Sequence, residues 1–327
     1  MATYKGIKGV KVQSKASDPT ASEAVGTVWY NTTGATLKYA AEGAGAWASG
    51  TAMNTGRAAP GSAGTTSLAL VWGGETPAFT INTETWNGST WTEVANLPVA
   101  RFAMGGFGTS TAAVSAGGYA PPTNTACDKW DGSTWTATGV LNSGTQMMGS
   151  SGTQTAGMKF GGDDYDNETE TFDGSTWTAV NVLNLARKAG GSSTLGTTTA
   201  SLFAGGEVGP AIPARRTANT ELWNGTTWSE DADLNTARDA TTGSGTSTLA
   251  LVFSGGISTG LTALTESWNG TSWTEVGALA TASKNCQGIG SNTSAFNVGG
   301  NPSPPVYTTA VEEYTDPSYV IKTVTVS

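Results

Sequence analysis

The 327-residue chain has no histidine, only two cysteines and only 13% charged residues. Without histidine, histidine-based metal sites and the usual general base of serine and cysteine hydrolases are absent, which leaves carboxylates, Tyr and Lys for acid-base work. Cys127 and Cys286 stand far apart in sequence, which argues against a disulfide framework and against a thiolate metal cluster. No apolar run approaches membrane-spanning length. The opening "MATYKGIKGVKVQSK" carries four lysines but lacks the apolar core of a signal peptide. A formal net charge of −9 disfavours binding to a phosphate backbone. Nucleic acid, membrane insertion, cofactor and metal are therefore all unexpected here.

What is present is 45 Gly, 12 Trp and abundant Thr, Ser and Ala, the composition of an all-β protein with many turns. The chain is also repetitive. "ETWNGSTWT", "DKWDGSTWT", "ETFDGSTWT", "ELWNGTTWS" and "ESWNGTSWT" recur, and an apolar run ending in Gly-Gly precedes each. A sixth such run, "AFNVGG", follows. The second glycines fall at 74, 118, 162, 206, 256 and 300, so the steps are 44, 44, 44, 50 and 44. A spacing this regular identifies a repeat architecture.

Each unit reads as four strands. A Gly/Ala/Ser-rich strand comes first, then the apolar run, which suits a strand buried on both faces. The third strand carries Glu-x-Trp, and the fourth begins at the second Trp. Asn-Gly or Asp-Gly between the last two is a strong hairpin signal. A two-residue turn sets Trp91 opposite Glu84, and a four-residue turn sets it opposite Trp86. Either even count places both rings on one face, because side chains alternate with period two. The tryptophans therefore read as packing between sheets. The repeated Glu and Arg read as ion pairs within or between units, each contributing about 0–1 kcal/mol if exposed.

An apolar strand into Gly-Gly, then Glu-x-aromatic, a turn, Trp and Arg resembles the repeat of the kelch family of β-propellers. Gly73, Gly74, Glu84, Trp86, Trp91 and Arg101 match that pattern in order. Phe172 and Tyr314 stand in for the first Trp, Asp128 for Glu, and Thr145 and Ser283 for Arg. The resemblance implies a six-bladed kelch-like β-propeller over residues 46–316. Its last unit lacks a Trp-bearing fourth strand, while "GAWASGTAMNTGR" near the start supplies one. The expectation is that the Trp47 segment completes the last blade beside the strand of Tyr314, so that strands from the two ends close it.

The hairpin turns are nearly uniform, whereas the connections after Gly-Gly differ from unit to unit. Eight of the 12 prolines lie in these connections, which marks them as rigid, divergent loops suited to recognition. Arg215 and Arg216 sit in the longest of them. With Tyr119 and Tyr307 they form the expected contact surface. Asp163, Asp164 and Asp166 in "DDYDNE" are binding candidates of lower specificity, because carboxylates at that spacing suit a hard cation but lack the full calcium-loop pattern.

Residues 1–45 fall outside the repeat, and 317–327 read as a C-terminal strand. "GTVWYNTTGATLKY" resembles a short β element of bacteriophage tail-fibre and other virion proteins, matched at Gly26, Trp29, Tyr30, Asn31, Thr32, Leu37, Lys38 and Tyr39. The whole chain loosely resembles structural proteins of marine phages, including those of cyanobacteria. That resemblance implies a non-enzymatic virion protein assembled in the host cytoplasm, a tail fibre or a surface decoration, attaching to a host-surface glycan or protein. It implies virion proteins as partners and is compatible with a homo-oligomer. Lys5, Lys8 and Lys11, with Trp29 and Tyr30, are the expected anchor. The competing readings are a carbohydrate-active enzyme using loop carboxylates and a propeller used only for packing between virion subunits.

Overall fold

The computed structural model describes residues 12–19, 27–41, 45–209, 215–316 and 320–324. It is all-β, and the only helix among these residues is a 3-10 turn at Asp163–Tyr165. The chain divides into two compact units: Trp47–Thr315, and the two ends, 1–46 with 316–327.

In the terminal unit, Gln13–Lys15 runs parallel to Val28–Asn31, which pairs antiparallel with Thr36–Ala41, which in turn pairs with Val320–Thr323. Asp18 organises it. Its carboxylate accepts bonds from Lys38 Nζ (2.7 Å), Asn31 Nδ2 (2.6 Å) and Trp29 Nε1 (3.1 Å). These bonds, that from Lys38 foremost, hold the carboxyl down at about 2. Trp29 is only 1% exposed, so a contact role for its ring gives way to a core role, while Tyr30 is exposed. Lys5, Lys8 and Lys11 lie outside the described residues.

The larger unit has a propeller-like, all-β architecture built from four-stranded antiparallel sheets. Numbered along the chain, sheet 1 consists of Gly61–Gly64, Ala69–Trp72, Thr83–Trp86 and Trp91–Val94. Sheet 2 runs from Gly105–Thr109 to Trp135–Ala137, and sheet 3 from Gly149–Thr153 to Trp177–Val180. Sheet 4 runs from Gly191–Ser192 to Trp228–Asp231, and sheet 5 from Thr242–Gly245 to Trp273–Val276. In sheet 6, Gln287–Gly290, Ser294–Val298 and Val311–Thr315 are followed by Ala46–Ser49, from near the start of the chain. Trp47 meets Tyr314 there at 5.3 Å between ring centroids.

The sequence motifs acquire physical roles in this frame. The hairpin turn has four residues: Trp86 faces Trp91, with rings 5.4 Å apart. Asn87 Oδ1 accepts the N–H groups of Ser89 (3.0 Å) and Thr90 (2.9 Å), a local bond that Asn and Asp make readily. The second Trp of each hairpin then joins neighbouring sheets. Trp135, Trp228, Trp273 and Trp47 donate Nε1–H to Thr83, Thr169, Thr220 and Thr265, each in the preceding sheet, at 2.8–3.2 Å. Where that Thr becomes Cys127, the Trp177 Nε1 loses its hydroxyl acceptor and has only the thiol beside it. Where it becomes Val311, Trp91 turns to Thr51 O (3.0 Å).

The first strands are Gly-rich because neighbouring backbones nearly touch. A Cβ on Gly106 of sheet 2 would lie 2.7 Å from the Ser62 backbone of sheet 1, and one on Gly288 of sheet 6 would lie 2.1 Å from Gly243 O of sheet 5. A Cα-substituted residue has no room there.

The Arg–Glu pairs are sealed, not exposed. Arg57 reaches Glu84 at 2.6 Å, Arg187 reaches Glu221 at 2.5 Å and Arg238 reaches Glu266 at 2.5 Å, each with both side chains at most 1% exposed. Arg101 pairs likewise with Asp128, whose side chain is 9% exposed. The other Glu oxygen accepts bonds from an Asn of the entry segment, as Asn184 N (2.8 Å) and Nδ2 (2.9 Å) do for Glu221. Spare guanidinium N–H groups bind main-chain carbonyls such as Asn82 O (2.7 Å). In five units the residue after the Arg position faces the start of the variable connection.

Candidate functional site

Two residues beyond each Arg position the backbone turns left-handed, at Ala59, Ala103, Met147, Ala189, Ala240 and Asn285, with φ between 45° and 56°. Non-Gly residues tolerate that region only under constraint from their surroundings. Here the constraint is a belt of main-chain hydrogen bonds between sheets. Ala103 N–H donates to Ala59 O (2.8 Å), Met147 to Ala103 O (2.8 Å) and Ala189 to Met147 O (2.7 Å). Thr241 donates to Ala189 O (3.3 Å), Asn285 to Ala240 O (3.0 Å) and Ala59 to Asn285 O (2.7 Å).

The residue before each belt position faces the residue after, or the second glycine of, the corresponding Gly-Gly. These facing pairs are Ala58 with Glu75, Phe102 with Tyr119, Lys188 with Glu207, Asp239 with Gly256, and Lys284 with Asn301. In sheet 3, Gln146 Nε2 donates to Asp163 at 2.7 Å. The belt is uniform main chain, and the side chains beside it differ at every unit. These are the chemistry-bearing positions of the molecule.

Three sectors result. At sheets 1 and 2, Phe79, Phe102 and Tyr119 form an aromatic cluster, with centroids 5.0, 5.7 and 5.8 Å apart. At sheets 3 and 4 charges interlock. Asp163 binds Lys188 (2.9 Å), Lys188 lies 4.7 Å from the centre of the Tyr165 ring, and Arg215 binds Glu207 (2.5 Å) and the Tyr165 hydroxyl (3.1 Å). Burial pushes the Asp163 carboxyl up, but the Gln146 and Lys188 bonds outweigh it and the net direction is down. Burial likewise pushes Lys188 down, and Asp163 reverses it. The third sector is a recess of about 540 Å³ at sheets 4 to 6, lined by Glu207, Arg216, Asp239, Lys284, Asn285 and Pro304 among others.

The expected contact surface is thereby divided. Arg215 points to Glu207 and Tyr165, whereas Arg216 pairs with Asp239 at 3.0 Å. Tyr119 belongs to the aromatic cluster, and Tyr307 lies beside Glu75, its hydroxyl pushed up by burial and by that carboxylate. The acidic loop does not converge on one point. Asp163 faces Lys188, while Asp166 and Glu168 lie 3.7 Å from Lys159, and Asp164 is exposed. Among the described residues no group of three or more His, Cys, Asp or Glu is arranged to hold a metal ion. Asp163, Glu207 and Asp239 each have a cation within 3.0 Å, so they are presented as locks, not as free acid-base groups.

Sequence reading missed Phe79, Phe102, Tyr165, Lys188, Glu207, Asp239 and Lys284. A signal for four of them exists: aligning the units on the Arg position gives RAA, RFA, TQM, RKA, RDA and SKN, whose middle residue is the variable one. Comparison with known proteins finds no family model that matches this chain and no match among curated proteins.

Proposed function

We propose that the larger unit is a closed, six-bladed, kelch-like propeller, and that the chain is a non-enzymatic phage virion protein, a tail fibre or surface decoration. In this reading it presents its variable loops to the host surface. Support for the wheel comes from the belt of main-chain bonds, whose last link returns from Asn285 to Ala59. The order of contact among the first strands, which returns to Gly61–Gly64 from Gln287–Gly290, supports it as well. The strand Ala46–Ser49 then acts as the clasp of the final blade.

The recognition role rests on one observation: a repeated scaffold carries six unlike pairs of residues around a single belt. Loops fixed on a rigid frame are where binding specificity resides. The non-enzymatic reading is supported by carboxylates tied to lysine and arginine. The virion assignment rests on the phage resemblance of the N-terminal element, with the terminal unit as the anchor and other virion proteins as its partners.

The test is direct. The protein should be found in purified particles at a surface site by cryo-EM, and the purified chain should compete with particles for adsorption to host cells. Particles lacking the protein that adsorb normally would refute the attachment role. Deleting residues 1–25 should abolish incorporation, and unchanged incorporation rejects the anchor.

A further inference from the structure

The recess at sheets 4 to 6 differs from the other two sectors in its charge state. Glu207 is engaged by Arg215, and Asp239 by Arg216. Lys284 is half-buried and lines the recess, yet among the described residues its ammonium makes no ion pair and no hydrogen bond. Among the ionisable residues that line the recess, Lys284 is therefore the one without an ion-pair partner among the described residues. Around it lie groups that both donate and accept: the Asn285 amide, the Ser258 hydroxyl and the Arg216–Asp239 pair. Ile257, Leu261 and Pro304 add apolar surface. The volume, about 540 Å³, falls in the range of small-ligand sites.

We infer that this recess binds a small, hydroxyl-rich monocarboxylate, of the size of an acidic monosaccharide, with Lys284 as its counter-ion. The inference deepens the proposed function and rests on reading the loop face as a recognition surface. A single unpaired ammonium matches one negative charge. A phosphate dianion would set its second charge against Glu207 and Asp239, whose own partners are already committed. A neutral sugar would leave the ammonium uncompensated. The hydroxyls match the Ser258 hydroxyl, the Arg216–Asp239 pair and the Asn285 amide, which also donates to Asn301 Oδ1 (3.3 Å). A partly desolvated ammonium binds carboxylate more strongly than a fully hydrated one.

The test is a titration of the purified full chain with glucuronate, N-acetylneuraminate and glucose, followed by NMR shifts at low and high salt. Saturable binding of at least one acid is expected, about tenfold tighter than glucose and weakened by salt. Lys284→Gln should weaken acid binding about tenfold with an unchanged melting temperature, and Lys284→Arg should retain most of it. Equal binding of glucose, no saturable binding of either acid, or wild-type affinity in Lys284→Gln would overturn the inference. The adsorption assay separates the two readings. Competition without acid binding sinks the recess alone, and acid binding without competition sinks host attachment alone.

Discussion

Sheets 3 and 6 both lack the arginine that closes the lock elsewhere, and they solve its loss differently. In sheet 3, Thr145 stands at the Arg position, and Lys159, directly across the strand pair from Glu170, brings a wholly buried ammonium to 3.3 Å. In sheet 6, Ser283 stands there, and Glu312 faces Asn297 instead. Glu312 accepts N–H bonds from Ala280 (2.7 Å) and Thr281 (3.3 Å) but has no ion-pair partner among the described residues. Nearby, Asn297 Oδ1 is buried without a partner among the described residues, and Ser254 Oγ lies against the Cys286 thiol. The Cys286 thiol between them is pushed up to about 11, chiefly by burial. The comparison separates two parts of the motif. The acid is kept in every sheet, while the cation can come from the entry segment or from the adjacent strand, or be absent.

The strongest way to break this comparison is to remove a cation where it is present. Arg187→Ala should cost about 3–5 kcal/mol in urea unfolding, because Glu221 is left charged and buried. The pair replacement Arg187→Met with Glu221→Leu should recover most of that loss, and equal damage from single and double variants would refute the lock. Next in size, Lys159→Met should cost about 2–3 kcal/mol, less than the arginine because Asp166 and Glu168 reach solvent. A neutral result there would mean that Glu170 needs no cation. Smallest and opposite in sign, Ser283→Arg should stabilise by about 1 kcal/mol, by supplying Glu312 with the partner its counterparts have. A fall in melting temperature would show that sheet 6 has closed around its serine.

Much of this was legible in the sequence, for reasons that can be named. The 44-residue step and the Gly-Gly runs mark where second strands end, because the chain there turns left-handed, as at Gly73 (φ 59°) and Gly74 (φ 101°). The two Trp positions share a face by parity alone. The sequence left turn length open between two and four, and Asn87 decides it by accepting two main-chain N–H groups that only a four-residue turn brings to it. Burial of the Arg–Glu pairs was not legible, since charge spacing says nothing of solvent. Nor was the partition of the loops: Arg215 and Arg216 are adjacent in sequence, yet they serve different carboxylates because the chain turns left-handed at Arg215. Nor was the division of the acidic loop legible, its carboxylates being shared between Lys188 and Lys159.

Sheet 6 takes its outer strand, Ala46–Ser49, from before the other five sheets and its inner three from after them. On a ribosome that strand emerges long before Val311–Thr315 exists to receive it. It must wait through the synthesis of five other sheets with its main-chain groups unpaired, a state in which strands join the wrong neighbour. The short length of this segment and its small residues, Ala46, Ala48, Ser49 and Gly50, limit what such an early edge can capture. Completion of the sixth sheet is thereby deferred until Val311–Thr315 has been made, so that a product cut short before that strand cannot finish it.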